Sequence, residues 1–220
     1  MTRDDDHDPL LAEQVSYYRA IAGEYEDHLL PPKGYDDIVA AFEAFHPTGD
    51  VLELTCGTGM WTERLLQHAT HVTAVDAAHE MIARTKARVG TERVRFIEAD
   101  LFSWQPDRRY DVVFFGSWLS HVPLDRFESF WTLVASCLEA DGRVFFADDN
   151  HRGPEELIEG AESPIVQRRI NDGTAFRAVK VPHEPAQLQE RINRLGWNVT
   201  VMPTDGPLYW GSGTRSVPTP

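Results

Sequence analysis

The chain has 220 residues, 42 % of them hydrophobic and 25 % charged, and carries a formal charge of −14 from 21 basic and 35 acidic side chains. That size and composition fit one soluble globular domain with a single core, and an acidic balance with no Lys/Arg cluster argues against nucleic acid as a partner. No leader, transit pattern or membrane-length apolar run is visible; Cys56 and Cys137 lack metal-ligand spacing and suit reduced thiols, so a cytoplasmic protein is expected with no membrane partner.

Residues 1–9 read as a disordered acidic tail. Leu11, Val15, Tyr18, Ala22, Tyr25 and Leu29 then recur at helical steps and predict one amphipathic helix that stops near Pro31-Pro32. A second helix is expected over Tyr35–Phe45, stopped by Pro47-Thr48-Gly49. Strands and helices alternate from there. Strands are predicted at Val51–Thr55, His71–Asp76, Val94–Ala99, Tyr110–Phe115 and Arg143–Ala147, with helices at Met60–His68, Ala78–Val89 and Leu124–Leu138. The fourth strand is nearly all apolar, as expected when both faces of a sheet are covered.

After Asp148 the rhythm changes. Residues 151–173 read as an irregular substrate lid with a short helix around Ile165–Ile170, followed by a strand at Ala175–Val181. Glu184–Leu195 is predicted helical, with Pro185 in its first turn and Gly196 as its stop. Trp197–Met202 and Leu208–Gly211 then form a closing hairpin. The expected fold is α/β: a doubly wound, seven-stranded sheet, mostly parallel with a C-terminal antiparallel hairpin and helices on both faces. One domain over residues 10–213 divides into an N-terminal helical cap (10–48), a core (50–147), a substrate-side insertion (148–183) and the closing helix and hairpin (184–212). Residues 214–220 read as a flexible tail.

In such sheets a ligand sits outside the carboxyl ends of the strands. The first strand ends in Glu53-Leu54-Thr55-Cys56-Gly57-Thr58-Gly59, a tight turn that opens a helix and brings backbone N–H groups to a ligand. Asp76 closes the second strand, where an acid accepts ribose hydroxyls, and Asp100 follows the third, where an acid accepts an exocyclic amine. Met81, in the next helix, offers a soft apolar platform for a purine, with a plain core position as the alternative.

These three motifs, from Glu53 to Gly59, from Val75-Asp76 to Met81, and Ala99-Asp100-Leu101-Phe102, resemble the class I S-adenosylmethionine-dependent methyltransferases over roughly residues 15–212. The resemblance implies a Rossmann-like fold that binds S-adenosyl-L-methionine. It assigns Gly57 and Gly59 to the methionine part, Asp76 to the ribose, Asp100 to the adenine amine, and the backbone near Leu101 and Phe102 to the adenine. The opening helix folds over the cofactor in that family, so Tyr18 and Tyr25 become candidate contacts. A homodimer is common there. An NAD-dependent oxidoreductase is the competing reading, but its third fingerprint glycine falls on Thr62 here. A non-catalytic protein that binds adenosyl compounds is another alternative.

The acceptor side is less defined. His121, in the loop after the fourth strand, is the first choice for a general base, and Ser117 in the same loop is placed to touch the cofactor through its backbone. Asp149 and His151, after the fifth strand, are alternative bases. The Asp149-Asn150 pair resembles part of the magnesium site of catechol-type O-methyltransferases, yet Gly116-Ser117 stands where that site needs an acid, so magnesium is not favoured. Arg168 and Arg169 read as exposed helix charges or as selectors of a polar acceptor, and Trp118, Trp131 and Trp210 as an aromatic wall, with core the alternative for Trp131. O-methylation of a small-molecule hydroxyl is favoured over N- or C-methylation, with the acceptor open.

Overall fold

A computed structural model describes residues 8–28 and 33–216. Six α-helices and nine strands run in the order α1 (Pro9–Ile21), α2 (Tyr35–Phe45), β1 (Asp50–Leu54), α3 (Met60–Leu65), β2 (His71–Asp76), α4 (His79–Val89), β3 (Val94–Glu98), β4 (Tyr110–Gly116), α5 (Phe127–Cys137), β5 (Leu138–Asp149), β6 (Ile165–Arg169), β7 (Ala175–Val179), α6 (Pro185–Arg194), β8 (Trp197–Pro203) and β9 (Leu208–Arg215) among the described residues. Seven strands form one sheet in the order β3-β2-β1-β4-β5-β9-β8, and β6 pairs with β7 in a separate two-stranded sheet. Strands β1 to β5 are parallel, and β9 joins β5 antiparallel with Ala147 opposite Trp210.

The apolar β4 is sandwiched. Val113 and Phe115 face a core formed with α5 and α6, where Phe130, Trp131, Phe146 and Ile192 are buried. Val112 and Phe114 face the opposite core, where Phe42 of α2 meets Phe114 and Phe145 edge-on. Each fully buried aromatic of this kind stabilises the fold by roughly 1.5–3 kcal/mol. Trp131 is 1 % exposed and belongs to the core under α5 and α6, not to a pocket wall.

Several expected boundaries move. Asp8 is not tail: its carboxylate accepts from Leu10 N–H at 3.0 Å and caps α1, with Pro9 in the first turn. The first helix ends at Ile21, and Tyr25 lies in a separate 3₁₀ turn, Tyr25–His28. Leu29, the two prolines, residues 1–7 and residues 217–220 lie outside the described residues. The third helix closes at Leu65 instead of His68, and Leu124–Arg126 is a 3₁₀ turn ahead of α5. β5 begins at Leu138, and β9 reaches Arg215, so residues 214 and 215 are sheet and not tail.

The largest correction concerns residues 165–170. Ile165–Arg169 form β6, not a helix, paired with β7 across residues 170–174, which contain Asn171-Asp172-Gly173. Gly173 sits at φ +90°, and Thr174 N–H donates to the Asp172 carboxylate at 2.7 Å; both features close a hairpin. Burial of Val166, Ala178 and Val179 and the packing of Val179 against Leu11 of α1 favour the extended form, whose ladder an isolated single-turn helix cannot match.

Candidate active site

The turn after β1 is held in left-handed backbone at Thr55 (φ 58°), Gly57 (φ 55°) and Gly59 (φ 86°). A Cβ on Gly59 would meet the Thr85 methyl at 2.7 Å, whereas one on Gly57 would enter open space. Helix α4 braces the turn: Thr85 Oγ1 donates to Gly57 O at 2.7 Å and Arg88 Nε to Thr58 O at 3.0 Å. Asp76, 8 % exposed, accepts from Gly57 N–H at 2.9 Å and from Ala78 N–H at 2.8 Å. Burial raises its pKa and those N–H groups pull it back down. Glu53 is 1 % exposed and accepts from Thr62 Oγ1 at 2.5 Å. Burial pushes its carboxyl up to about 8 against that hydrogen bond, with the Asp76 charge adding to the rise. Thr62 thus uses the third-glycine position of a dinucleotide fingerprint to hold the acid.

Two cavities meet above this turn. The first, of about 630 Å³, is lined by Asp76, Asp100, Leu101, Phe102 and Trp118 from the strand ends and by Tyr18 from α1. The second, of about 870 Å³, is lined by Glu53, Trp61, Asp149, His151, Arg168 and Arg169. Tyr25, Thr55, Gly116 and Ser117 border both, which makes them the junction. Burial holds the Tyr25 phenol up at about 12, so it stays a neutral donor at the junction. Ser117 is strained (φ 51°) and spends its N–H on Ala147 O at 2.8 Å, leaving its carbonyl and hydroxyl for a ligand. Asp100 accepts from Phe102 N–H at 2.9 Å. The cavities, the open space over Gly57 and the carboxylates of Asp76 and Asp100 fit an adenosyl amino acid.

Met81 does not join them. It is 1 % exposed, packs with Tyr17, Ile21, Ala22 and Ala78, and lines neither cavity. Its helical register points it beneath α1, so it is core instead of a purine platform.

The acceptor candidates separate in the same way. His121 is 5 % exposed and lines neither cavity; its Nδ1 is 2.6 Å from Val179 O and its Nε2 3.1 Å from the Tyr18 hydroxyl. Burial, with Lys180 and Arg168 nearby, holds its pKa well below the usual range against the Val179 hydrogen bond. This geometry does not fit a general base for an acceptor in either cavity. Asp149 and the exposed His151 do line the second cavity. Asp149 accepts from Lys180 Nζ at 2.8 Å and shares that lysine with buried Asp148 at 3.7 Å. Asp148 also takes Ser120 N–H at 2.8 Å and Oγ at 2.9 Å; burial raises its pKa and Lys180 opposes the rise.

A magnesium ion does not fit here. Asp149 is engaged by Lys180, and Asn150 spends its amide on His183, donating to O at 2.7 Å and accepting from N–H at 2.8 Å. Among the described residues no group of three or more His, Cys, Asp or Glu is placed to hold a metal. Among them, too, no helix is long and apolar enough to cross a membrane.

Sequence reasoning missed Lys180 and Gln14, because only the tertiary fold brings residues 14, 121 and 180 together. Arg168 is not a free helix charge: it is ion-paired with Glu156 in the lid. The signal for its true setting was the Asn-Asp-Gly turn between two short alternating runs.

Comparison with known proteins gives the family. Residues 51–142 match the family of methyltransferase domains. The structure of DhpI complexed with SAH is 40 % identical, covers 96 % of this chain and 98 % of its own, and superposes with a TM-score of 0.82. Malonyl-[acyl-carrier protein] O-methyltransferase 2 of Ilyobacter polytropus is 30 % identical over 97 residues, 42 % of this chain and 38 % of that protein. Trans-aconitate 2-methyltransferase of Escherichia coli O1:K1 / APEC is 37 % identical over 87 residues, 39 % of this chain and 33 % of that one. The matches therefore span less than half the length of these two enzymes. The chain belongs to the class I S-adenosylmethionine-dependent methyltransferases. Its cofactor is S-adenosylmethionine.

Proposed function

We propose that the protein methylates an oxygen of a small acidic molecule held in the second cavity. The observation that carries this reading is charge. In a chain of formal charge −14, that cavity is lined by Lys33, Arg168 and Arg169. Of these, Lys33 is paired with Asp205 at 3.0 Å and Arg168 with Glu156, while Arg169 has no acidic partner among the described residues. Asp148 and Asp149 share Lys180, and Glu53, with its carboxyl pushed up to about 8, is mostly uncharged at neutral pH. Arg169 donates through Nη1 to Gly173 O at 3.0 Å and through Nη2 to Gln167 Oε1 at 2.6 Å, so its N–H groups not used there and its uncompensated charge are what an oxyanion would meet.

When bound, the cofactor supplies a sulfonium methyl for in-line displacement by the acceptor atom. The chain's own residues then have three tasks. Asp76 and Asp100 anchor the adenosyl part, Tyr18 and Tyr25 cover it, and the cavity cations turn an acceptor oxygen toward the junction at Thr55 and Ser117. An acid oxygen is already deprotonated at neutral pH, so the sealed His121 is not needed as a base. The names of the two O- and 2-methyltransferases above, malonyl and aconitate, describe acids and support the same acceptor chemistry for this chain.

A second reading rests on Asp149 and His151, which border the same cavity and are placed to take a proton from a hydroxyl. A panel of small mono- and dicarboxylates, phosphate esters, alcohols, phenols and amines, scored by SAH formation, separates the two. Oxyanions are expected to turn over, with a raised KM in Arg169→Ala. Turnover of neutral alcohols or phenols alone would overturn the acidic acceptor. Absence of SAH with every class would return the chain to the non-catalytic binding proteins.

A further inference from the structure

Helix α1 and the β6–β7 hairpin form one cover over both cavities. Gln14 of α1 accepts from Val179 N–H at 2.9 Å, Glu13 pairs with Arg177 at 2.9 Å, and Asn171 N–H donates to Glu24 at 2.6 Å. The helix lends Tyr18 to the cofactor cavity, and the hairpin lends Arg168 and Arg169 to the other. Beside the loop after β4, both halves of the cover reach the same side chain, His121.

The protonation pattern there follows from the partners. Val179 O can only accept, so His121 Nδ1 carries the proton and donates across 2.6 Å. Nε2 is then a lone pair that accepts from the Tyr18 hydroxyl across 3.1 Å, and the two rings meet edge to face at 5.8 Å. Gln14 Nε2 also reaches His121 O at 3.4 Å, and Val181 N–H donates to Ser120 O at 2.7 Å. The imidazole is a neutral, two-handed tie between the helix and the hairpin. Ring nitrogens already spent in this way cannot approach an acceptor within the 2.6–3.2 Å that a general base needs.

We propose that His121 is a positioning residue for cofactor binding, which holds the Tyr18 hydroxyl and strand β7 in one register and so sets the cofactor wall and the acceptor arginines together. It rests on the reading of Tyr18 as part of the cofactor cavity. No reacting atom touches the ring; its effect passes through Tyr18 and Val179.

Variants chosen by atom test this, with SAH as the probe in calorimetric titrations. His121→Asn keeps an amide N–H near the Nδ1 position but removes the acceptor for Tyr18. His121→Gln reaches the Nε2 position, where its carbonyl accepts from Tyr18. Tyr18→Phe removes a single hydroxyl and leaves the ring packing, so it tests the tie even if a His121 variant fails to fold. Tyr18→Phe and His121→Asn are each expected to weaken SAH about five- to tenfold, the typical net worth of one hydrogen bond. The double variant should bind no more weakly than either single one, and His121→Gln, which restores the Tyr18 acceptor but not the donor to Val179 O, should recover part of the affinity. Unchanged SAH affinity in Tyr18→Phe, or losses that multiply in the double variant, would overturn the proposal. A wild-type protein that binds no SAH would instead strike the cofactor assignment, a distinguishable result.

Discussion

Glu53 holds a proton in the folded protein that it gives up in the unfolded one. Its folded carboxyl titrates near 8 and its free value is 4.5, so the stability tied to that proton is complete below pH 4.5 and is lost as pH rises to about 8. Glu53→Gln keeps an acceptor for Thr62 without the titration. Chemical denaturation from pH 5 to 9 should show wild-type stability falling relative to this variant; parallel curves would refute the assignment. Lys180 presents the opposite case. It is 2 % exposed against Asp148 and Asp149, so Lys180→Met leaves buried carboxylates uncompensated at a cost of about 3–5 kcal/mol. Urea titration should show that loss, narrowing at acid pH as Asp148 takes up a proton. Asp76→Asn keeps the backbone N–H contacts in part but weakens a charged ribose partner, and SAH affinity should drop by about tenfold or more.

The glycine turn and the β6–β7 hairpin show what was legible and what was not. The cofactor half of the site is local: each of Gly57, Gly59, Asp76 and Asp100 ends or follows a strand whose apolar run is visible, and the topology places those ends side by side. Gly57→Ala and Gly59→Ala separate two demands on that turn. At Gly59 both the φ of 86° and the 2.7 Å approach to Thr85 oppose a methyl, so thermal unfolding should report a loss of about 2–5 kcal/mol. At Gly57 a methyl meets open space and costs only about 1 kcal/mol of backbone strain, while its SAH binding should suffer more than its stability. The hairpin escaped a local reading because Ile165, Val166 and Ile170 suit one helical turn as well as a strand. Pairing with β7 decides it. Met81 and His121 were misread for a related reason: periodicity places a residue on an element but does not say which neighbour covers it.

Taken as a whole, the molecule sets one arginine without an acidic partner among the described residues, Arg169, at the second cavity of a strongly acidic chain. An acidic acceptor must cross that field, and added salt screens both the surface repulsion and the Arg169 attraction. Arg169 is exposed, so bulk ions reach that contact, and its loss is taken to outweigh the relief of surface repulsion. The acceptor KM is expected to rise severalfold between low and high salt, while SAH affinity, resting on hydrogen bonds at Asp76, changes little. Steady-state kinetics across a sodium chloride series checks this. Covering both cavities with one body also predicts that SAH slows amide hydrogen exchange in α1 and in β6–β7 together, including hairpin amides outside the cofactor cavity.

The Gln14–Val179 hydrogen bond joins positions 165 apart in the chain. During synthesis Tyr17 and Ile21 of α1 can already pack against Ala78 and Met81, but Leu11 and Gln14 wait until β7 follows β1 to β5. Closure of so long a loop is slow, and it comes late in folding. A nascent chain that stops short of residue 175 can build β1 to β5 but not the cover. Competence to bind cofactor should then arise in a late, discrete step as β7 emerges, visible as a jump in SAH protection on ribosome-stalled chains of increasing length.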